Sequence, residues 1–265
     1  MIVLPEIDPF VFKIADNVGL RWYGLMYLLG FMMAWYIGKR RLAEISIDNQ
    51  RFLDLISTIA MGIIVGGRVG YVLLYTSMQW LSEPWLFFMI WKGGMSFHGA
   101  LVGGLISLIG FAVGHGIEMA KLVDFVAPLV PPGLMMGRLG NFINAELLGR
   151  VTDVPWAVVF PNSDLLPRHP SQLYEMLGEG CLLYILLLWH RRSKERRPGV
   201  LGFWFLCHYA WIRFFLEFFR EPDVGVGFVV GNVLSMGQVL SLLMLLLSFS
   251  WLYMCYRDKP VSWAF

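Results

Sequence analysis

Charged side chains are scarce in this chain: Asp, Glu, Lys and Arg make up only 15% of its 265 residues. A water-soluble domain carries about a quarter of such residues. Hydrophobic residues reach 57%, and they occur in runs long enough to cross a bilayer. The composition therefore excludes an ordinary soluble domain and predicts an integral membrane protein.

Basic blocks long enough to suggest nucleic-acid binding, cysteine pairs and a cationic leader are also missing. The net charge of +2 argues against a nucleic-acid partner. Cys181, Cys207 and Cys255 lie far apart in apolar segments, so we interpret them as packing residues and expect neither a metal site nor a cofactor. The first ten residues include Glu6 and Asp8 but no basic residue, so we expect internal spans, not a secretory signal, to hold the protein.

Seven apolar segments each approach the ~20 residues that a helix needs to cross ~30 Å of hydrocarbon. Because backbone groups in lipid must be satisfied internally, each segment is predicted to be helical. We expect an all-α integral membrane protein, a bundle of about seven transmembrane helices. The predicted spans are 20–38, 52–76, 97–114, 120–140, 171–190, 200–219 and 233–255.

The largest polar excursion lies between spans four and five. Residues 141–170 are rich in Pro, Asn and Asp, and we predict that they form a small outward-facing head inserted into a single domain, residues 1–265. Glycines that recur every four residues predict close helix packing. They are Gly62, Gly66 and Gly70, then Gly99 and Gly103, then Gly133 and Gly137.

Basic residues predict the orientation, because they concentrate in cytoplasmic loops. They follow spans one, five and seven, which places the N-terminus and the head outside and the C-terminus in the cytoplasm. In a bacterium the outer side is the periplasm. The residues are Lys39, Arg40, Arg41, Arg51, Arg191, Arg192, Lys194, Arg196, Arg197, Arg257 and Lys259.

Three arginines lie within or at the end of predicted spans, where each costs about 2.5–3.5 kcal/mol near the bilayer centre. Counting 1.5 Å per residue from the cytoplasmic side places Arg68 at ~24 Å and Arg213 at ~20 Å. Arg138 lies at the outer end of span four. All three therefore fall in the outer half of the membrane, and we predict an anion site there.

Polar neighbours accompany two of these arginines. Tyr209, Arg213 and Glu217 are spaced by four and share a helical face, which we expect Arg220 to continue one turn further. A local Arg213–Glu217 ion pair is one interpretation. It is compatible with phosphate binding, because a paired guanidinium keeps free donors.

Asn141 follows Arg138 by three residues at the membrane boundary, and Asn144 and Glu146 come next as the chain leaves the span. His98 and Tyr23 lie at the same outer level of their spans. For His98 a structural and a catalytic role both remain open. Tyr23 is equally consistent with an ordinary interfacial aromatic residue.

Six motifs, in order, resemble the prolipoprotein diacylglyceryl transferase family over residues 5–257. Ala145 departs from the family pattern, which usually has glycine before Glu146, and this departure concerns the local turn. The motifs are RWYGLMY (21–27), GGRVGYVL (66–73), GGMSFHG (93–99), GRLGNFIN (137–144), RHPSQLYE (168–175) and EFFREPD (217–223).

The resemblance implies a cofactor-independent transferase in the bacterial inner membrane. It would move the sn-1,2-diacylglyceryl group of phosphatidylglycerol to the lipobox cysteine of preprolipoproteins, forming a thioether and releasing glycerol-1-phosphate. This is the first step of lipoprotein maturation, and it makes residues 1–265 a transmembrane catalytic domain.

By motif, Arg138 and Arg213 would be the phosphate-binding pair, with His98 and Tyr23 completing the catalytic group. His98 could be the base or an orienting partner. The substrate-binding residues expected beside them are Asn141, Asn144, Glu146, Gly149, Tyr209, Glu217, Arg68, Arg220 and His169.

Two other function classes are weighed. A transporter or channel for a small anion would distribute its charges through the membrane depth. An intramembrane protease would need a serine elbow, a His-Glu-x-x-His pair or two facing aspartates, and none of these patterns is found.

Overall fold

The computed structural model describes residues 2–15, 18–76, 79–89, 93–161, 163–192, 197–222, 228–230 and 234–256. The predicted cytoplasmic residues Lys194, Arg196, Arg257 and Lys259 lie outside these described residues.

Seven long helices coincide with the seven predicted spans. Within the described residues, four helices are long and apolar enough to cross a membrane. They are Asn49–Tyr75, Phe97–His115, Met119–Ile143 and Met236–Tyr256. This confirms a mostly helical membrane protein, while spanning by the other three helices stays a prediction. The helices are α1 (Trp22–Lys39), α2 (Asn49–Tyr75), α3 (Phe97–His115), α4 (Met119–Ile143), α5 (171–191), α6 (Val200–Leu216) and α7 (Met236–Tyr256).

Local capping sets the ends of α2 and α3. Asp48 accepts a hydrogen bond from the Arg51 amide at 2.8 Å, so α2 begins three residues before the predicted span. Ser96 accepts one from the Gly99 amide at 3.2 Å where α3 begins. Gly116 ends α3 in the left-handed conformation, with a φ of 62°.

Two helices depart from regular α geometry. In α4, a 3₁₀ turn at Ala127–Leu129 contains Pro128 and precedes Pro131 and Pro132. In α5, residues Met176–Leu182 are π-helical. Such segments occur frequently at functional sites.

The described chain forms two compact units, one with the residues up to Gly38 and from Val123 onward, the other Lys39–Leu122. In the second unit, α2 and α3 pack through facing glycines. A Cβ on Gly66 would lie 2.8 Å from Cα of Gly103. The predicted small-residue packing is confirmed there.

In the first unit only part of the glycine prediction holds. A Cβ on Gly30 would lie 3.0 Å from Cα of Gly133, so α1 and α4 approach closely. A Cβ on Gly137 would meet nothing within 4 Å. The packing role predicted for Gly137 is therefore wrong, because the side of α4 that it presents is open.

Short strands occupy part of the predicted head. Strand Ile2–Val3 pairs in parallel with Val158–Val159, and Val158–Val159 pairs antiparallel with Pro167–Arg168, so the N-terminal strand joins this small sheet. Two hairpins lie outside it. One pairs Phe10–Ala15 with Val18–Arg21, and the other pairs Phe228–Val230 with Leu234–Ser235. The strands are β1 (Ile2–Val3), β2 (Phe10–Ala15), β3 (Val18–Arg21), β4 (Val158–Val159), β5 (Pro167–Arg168), β6 (Phe228–Val230) and β7 (Leu234–Ser235).

The turn that leaves α4 contains the residue that departs from the family pattern. Ala145 has a φ of 54°, in the left-handed region that favours glycine. Glu146 follows it, and Leu147 also has a φ of 54°. The alanine therefore retains a backbone conformation in which its Cβ is strained.

Replacing Ala145 with glycine should stabilise the fold. We expect about 1 kcal/mol, because relief of roughly 1–2 kcal/mol of strain outweighs the added chain entropy of glycine. Thermal unfolding in detergent should show a higher midpoint for Ala145→Gly. The matched change Ala60→Gly, inside α2, should lower the midpoint, and a decrease for both would contradict the argument.

Candidate active site

Arg138 and Arg213 reach the same carboxylate from different helices. Arg138 Nη1 on α4 lies 3.0 Å from Oε2 of Glu175 on α5. Arg213 Nη1 on α6 donates to Oε1 of the same side chain. The structure thus brings together the two arginines that the sequence analysis placed at one level.

A second α5 carboxylate joins this pair. Arg138 donates to Glu179 Oε2 from Nε at 3.0 Å, and its Nη2 lies 2.9 Å from the same oxygen. Arg213 Nη1 is 3.6 Å from Glu179 Oε1. The side chains of Glu175 and Glu179 are 1% and 0% exposed, whereas Arg138 retains 16%. Arg138 is therefore the more accessible side of the group.

The predicted Arg213–Glu217 ion pair is present. Arg213 Nη2 donates to Glu217 Oε2, and Ser235 Oγ donates to Oε1 at 2.9 Å. Because α6 ends at Leu216, Glu217 lies at its C-cap. We call Arg138, Arg213, Glu175, Glu179 and Glu217 the arginine–glutamate cluster.

Glu175 and Glu179 were not identified by the sequence analysis, which considered only aspartates as a possible acidic pair. A signal was nevertheless there. Two glutamates four residues apart lie inside the apolar segment 171–190. Ionisable residues within a span mark functional sites by default, and this spacing places both on one helical face.

The side-chain amides of two predicted site residues bind one carboxylate at the end of α4. Asn141 Nδ2 donates to Glu146 Oε2 at 3.2 Å, and Asn144 Nδ2 donates to Oε1 at 3.3 Å. Asn144 Oδ1 is buried and has no hydrogen-bond partner among the described residues. The three side chains therefore form one polar group next to the strained turn.

Both predicted tyrosines lie near the cluster. The Tyr23 ring packs on Gly140 of α4, and its hydroxyl is 3.3 Å from that of Tyr27. Tyr23 also interacts electrostatically with Arg138. Tyr209, one turn before Arg213, interacts electrostatically with both arginines and with the α5 carboxylates.

Gly149 allows a close backbone approach in the head. A Cβ there would lie 2.9 Å from the carbonyl carbon of His169. The Gly149 carbonyl accepts a hydrogen bond from Arg168 Nη1 at 2.8 Å. Arg168 also donates to both oxygens of Asp164, at 3.2 and 2.6 Å, and lowers the pKa of that carboxyl to about 2.

His169 lies among aromatic rings. Its Nδ1 is 3.2 Å from the Tyr174 hydroxyl, and its ring meets Phe219 edge-on at 5.2 Å. Burial lowers the pKa of His169, so the neutral imidazole is favoured. No ion pair or hydrogen bond in the described residues connects His169 with the arginine–glutamate cluster.

The prediction that Arg220 continues the α6 face is wrong. The helix ends at Leu216, and a turn at 217–219 redirects the chain. Arg220 instead forms a β-bridge with Gly149, and its carbonyl accepts a hydrogen bond from Arg150 Nε at 3.0 Å. The apolar pattern of 200–219 continues past the helix end and conceals this turn.

Arg68 and His98 belong to the other compact unit. Arg68 donates to the carbonyl of Leu86 from Nε and Nη2, at 3.0 and 2.6 Å. Its Nη1 donates to the carbonyls of Gly93 and Gly94, at 2.5 and 3.1 Å. These bonds favour a role in holding the segment before α3. Contact between Arg68 and substrate stays a prediction.

His98 is the second residue of α3, and its side chain is exposed. It lines an open groove of about 860 Å³ along α2 and α3, with small residues such as Gly99 and Gly103 on the same wall. Its ring meets Phe97 edge-on at 5.7 Å.

Comparison with known proteins decides the family. The family model described as prolipoprotein diacylglyceryl transferase matches residues 9–254. The chain belongs to this family. Similar proteins named phosphatidylglycerol–prolipoprotein diacylglyceryl transferase occur in Legionella pneumophila (strain Lens), 48% identical over 97% of this chain and 100% of that protein, and in Vibrio parahaemolyticus, 47% identical over 96% and 95%.

A third such transferase, from Pseudomonas paraeruginosa, is 45% identical over 97% of both chains. The matched residues 9–254 include six of the seven helices completely and α7 up to its last two residues. The resemblance inferred from the six motifs is confirmed, and with it the assignment of the chain as a membrane transferase.

The close approach at Gly149 yields a test of stability. Gly149→Ala places a Cβ against the His169 backbone, and overpacking of this kind costs about 1–3 kcal/mol. The thermal midpoint in detergent should fall. Gly137→Ala is the matched control, because its Cβ meets open space in a helix and should be neutral or stabilising. Equal midpoints for the two variants would refute the steric argument.

Proposed function

We propose that this chain transfers the sn-1,2-diacylglyceryl group of phosphatidylglycerol to the lipobox cysteine of a preprolipoprotein, as the first step of lipoprotein maturation. The product is a thioether, and glycerol-1-phosphate is released. The relatives carry both substrates in their name. The observation that carries the proposal is the convergence of Arg138 and Arg213 on one group of buried carboxylates.

We place the protein in the bacterial inner membrane, with all seven helices spanning it. The N-terminus and the 141–170 head would face the periplasm, and the C-terminus the cytoplasm. The described basic residues Arg40 and Arg41, between α1 and α2, and Arg51, in the first turn of α2, support this orientation through the positive-inside rule. We treat residues 1–265 as one catalytic domain with the head as an insertion.

The reaction requires a site that stabilises negative charge on a phosphate. It does not require an oxyanion hole, because no acyl carbonyl is attacked. The thiol sulfur attacks an sp3 carbon of the glyceryl group, the C–O bond breaks, and its electron pair moves onto the phosphate. Negative charge therefore grows on the departing group, and fixed guanidinium groups in a low-dielectric site stabilise it. Only the part of this attraction that strengthens towards the transition state accelerates the reaction.

The glutamates hold the arginines in place before lipid arrives. A buried guanidinium without a partner is strongly unfavourable, and the α5 carboxylates supply that partner. A guanidinium has five N–H donors, so ion pairing leaves some for a phosphate. Arg213 Nε makes no hydrogen bond within the described residues.

The thiol must also lose its proton, because the thiolate is the nucleophile and a free thiol has a pKa of about 8.5. A histidine imidazole is a suitable proton acceptor, and we assign this role to His98. Further residues are proposed to line or support the substrate site. They are Tyr23, Arg68, Asn141, Asn144, Glu146, Gly149, His169, Tyr209, Glu217 and Arg220.

The comparisons do not favour an anion transporter or channel, because the family model and the similar proteins all carry the name of a transferase.

Arg138→Ala should reduce diacylglyceryl transfer by at least about 10²–10³-fold, the typical effect of removing one transition-state donor. The assay measures the mass of a lipobox peptide after incubation with phosphatidylglycerol and purified enzyme. Arg51→Ala, an exposed change at the start of α2, serves as the control and should retain full activity. Normal turnover by Arg138→Ala would exclude the phosphate clamp.

His98→Gln should slow transfer by about 10²–10⁴-fold, which is the usual contribution of a positioned base. The mass of the lipobox peptide measures the rate, as for Arg138→Ala. Loss of a general base should also change the pH–rate profile, and an identical profile in both proteins would assign His98 an orienting role instead.

A further inference from the structure

The arginine–glutamate cluster has an imbalance of charge. It contains two arginines and three glutamates, so full ionisation would leave a net charge of −1. All five side chains are at most 16% exposed. An uncompensated buried charge is so unfavourable that a titratable group usually neutralises instead.

Two of the three carboxylates have a close cation or hydroxyl at each oxygen. Glu175 Oε1 accepts from Arg213 Nη1, and its Oε2 lies 3.0 Å from Arg138 Nη1 in an ion pair, although Oε2 makes no hydrogen bond among the described residues. Glu217 accepts from Arg213 Nη2 and from the Ser235 hydroxyl.

Glu179 also reaches both arginines, but its second ion contact is the longer one, 3.6 Å against 3.0 Å for Glu175. Its Oε2 contacts Arg138, while its Oε1 lies 3.6 Å from Arg213 and has no hydrogen-bond partner among the described residues. The side chain is fully buried, in the π-helical segment of α5. Titratable and charged groups face it from α4, α5 and α6. They are Arg138, Glu175, Tyr209, Arg213 and, at the end of α6, Glu217.

We propose that Glu179 is an uncharged carboxylic acid with its proton on Oε1, and that this O–H donates a hydrogen bond to the headgroup phosphate. The second part rests on the proposed function. The neutral acid leaves two positive and two negative charges in the cluster. It also supplies a donor where a third carboxylate would repel an arriving phosphate.

Infrared spectroscopy tests the proton directly, because a protonated carboxylic acid has a carbonyl stretch separate from carboxylate and amide bands. Purified protein in an ester-free detergent at neutral pH should show this band. It should be absent in Glu179→Gln and unchanged in Glu118→Gln, an exposed glutamate paired with Lys121. Persistence of the band in Glu179→Gln, or its absence from the wild type, would overturn the assignment.

The phosphate contact has its own probe. Glycerol-1-phosphate, a product that has no carboxylic-ester carbonyl, should shift the Glu179 band to lower frequency as the O–H donates to phosphate. An unmoved band in protein that transfers diacylglyceryl normally would overturn this contact. If the wild type fails to transfer while the band is lost in Glu179→Gln, the proposed function has failed and the protonated Glu179 stands.

A kinetic measurement separates a structural role from this one. The KM for phosphatidylglycerol should increase as pH rises through the pKa of Glu179, because only the protonated form accepts the anion. Glutamine mimics the neutral acid, so Glu179→Gln should keep a KM that is independent of pH over the same range. Parallel pH dependence in both proteins would count against the proposal.

Discussion

Two guanidinium groups buried between helices need partners, and this requirement organises the first compact unit. Apolar helices in lipid have little hydrophobic reason to associate, so packing and polar contacts between helices provide the attraction. Glu175 and Glu179 of α5 provide such contacts to Arg138 of α4 and Arg213 of α6. The ion pairs that join these helices are therefore also those that hold the arginines of the proposed anion site.

The three intramembrane arginines show how the partner decides the role of a charge. Arg68 makes four hydrogen bonds to backbone carbonyls, so its donors are used to hold a segment of chain. Arg138 and Arg213 are held by carboxylates, whose charge and protonation can respond to an incoming anion. All three are arginines that the sequence places in the outer half of the membrane, and only their neighbours distinguish them.

The positions of the helices could be predicted from the apolar segments of the sequence, because a span must satisfy its own backbone hydrogen bonds. The ends of the helices were predicted less accurately, since caps and turns determine them. Asp48 begins α2 earlier than hydropathy indicates, and Arg220 lies beyond the end of α6 although the apolar pattern continues. The strained Ala145 coincides with the one position where a family pattern suggested an unusual turn.

The sequence by itself determined the membrane character, the seven helices, the family and the two arginines, because composition and motif order are local properties of the chain. The tertiary structure decided the partners of those arginines. Glu175 and Glu179 are far from Arg138 and Arg213 in sequence, and only helix packing shows that one carboxylate bridges both cations. The charge imbalance of the cluster is likewise a property of that packing, since it depends on which ionisable groups share one buried space.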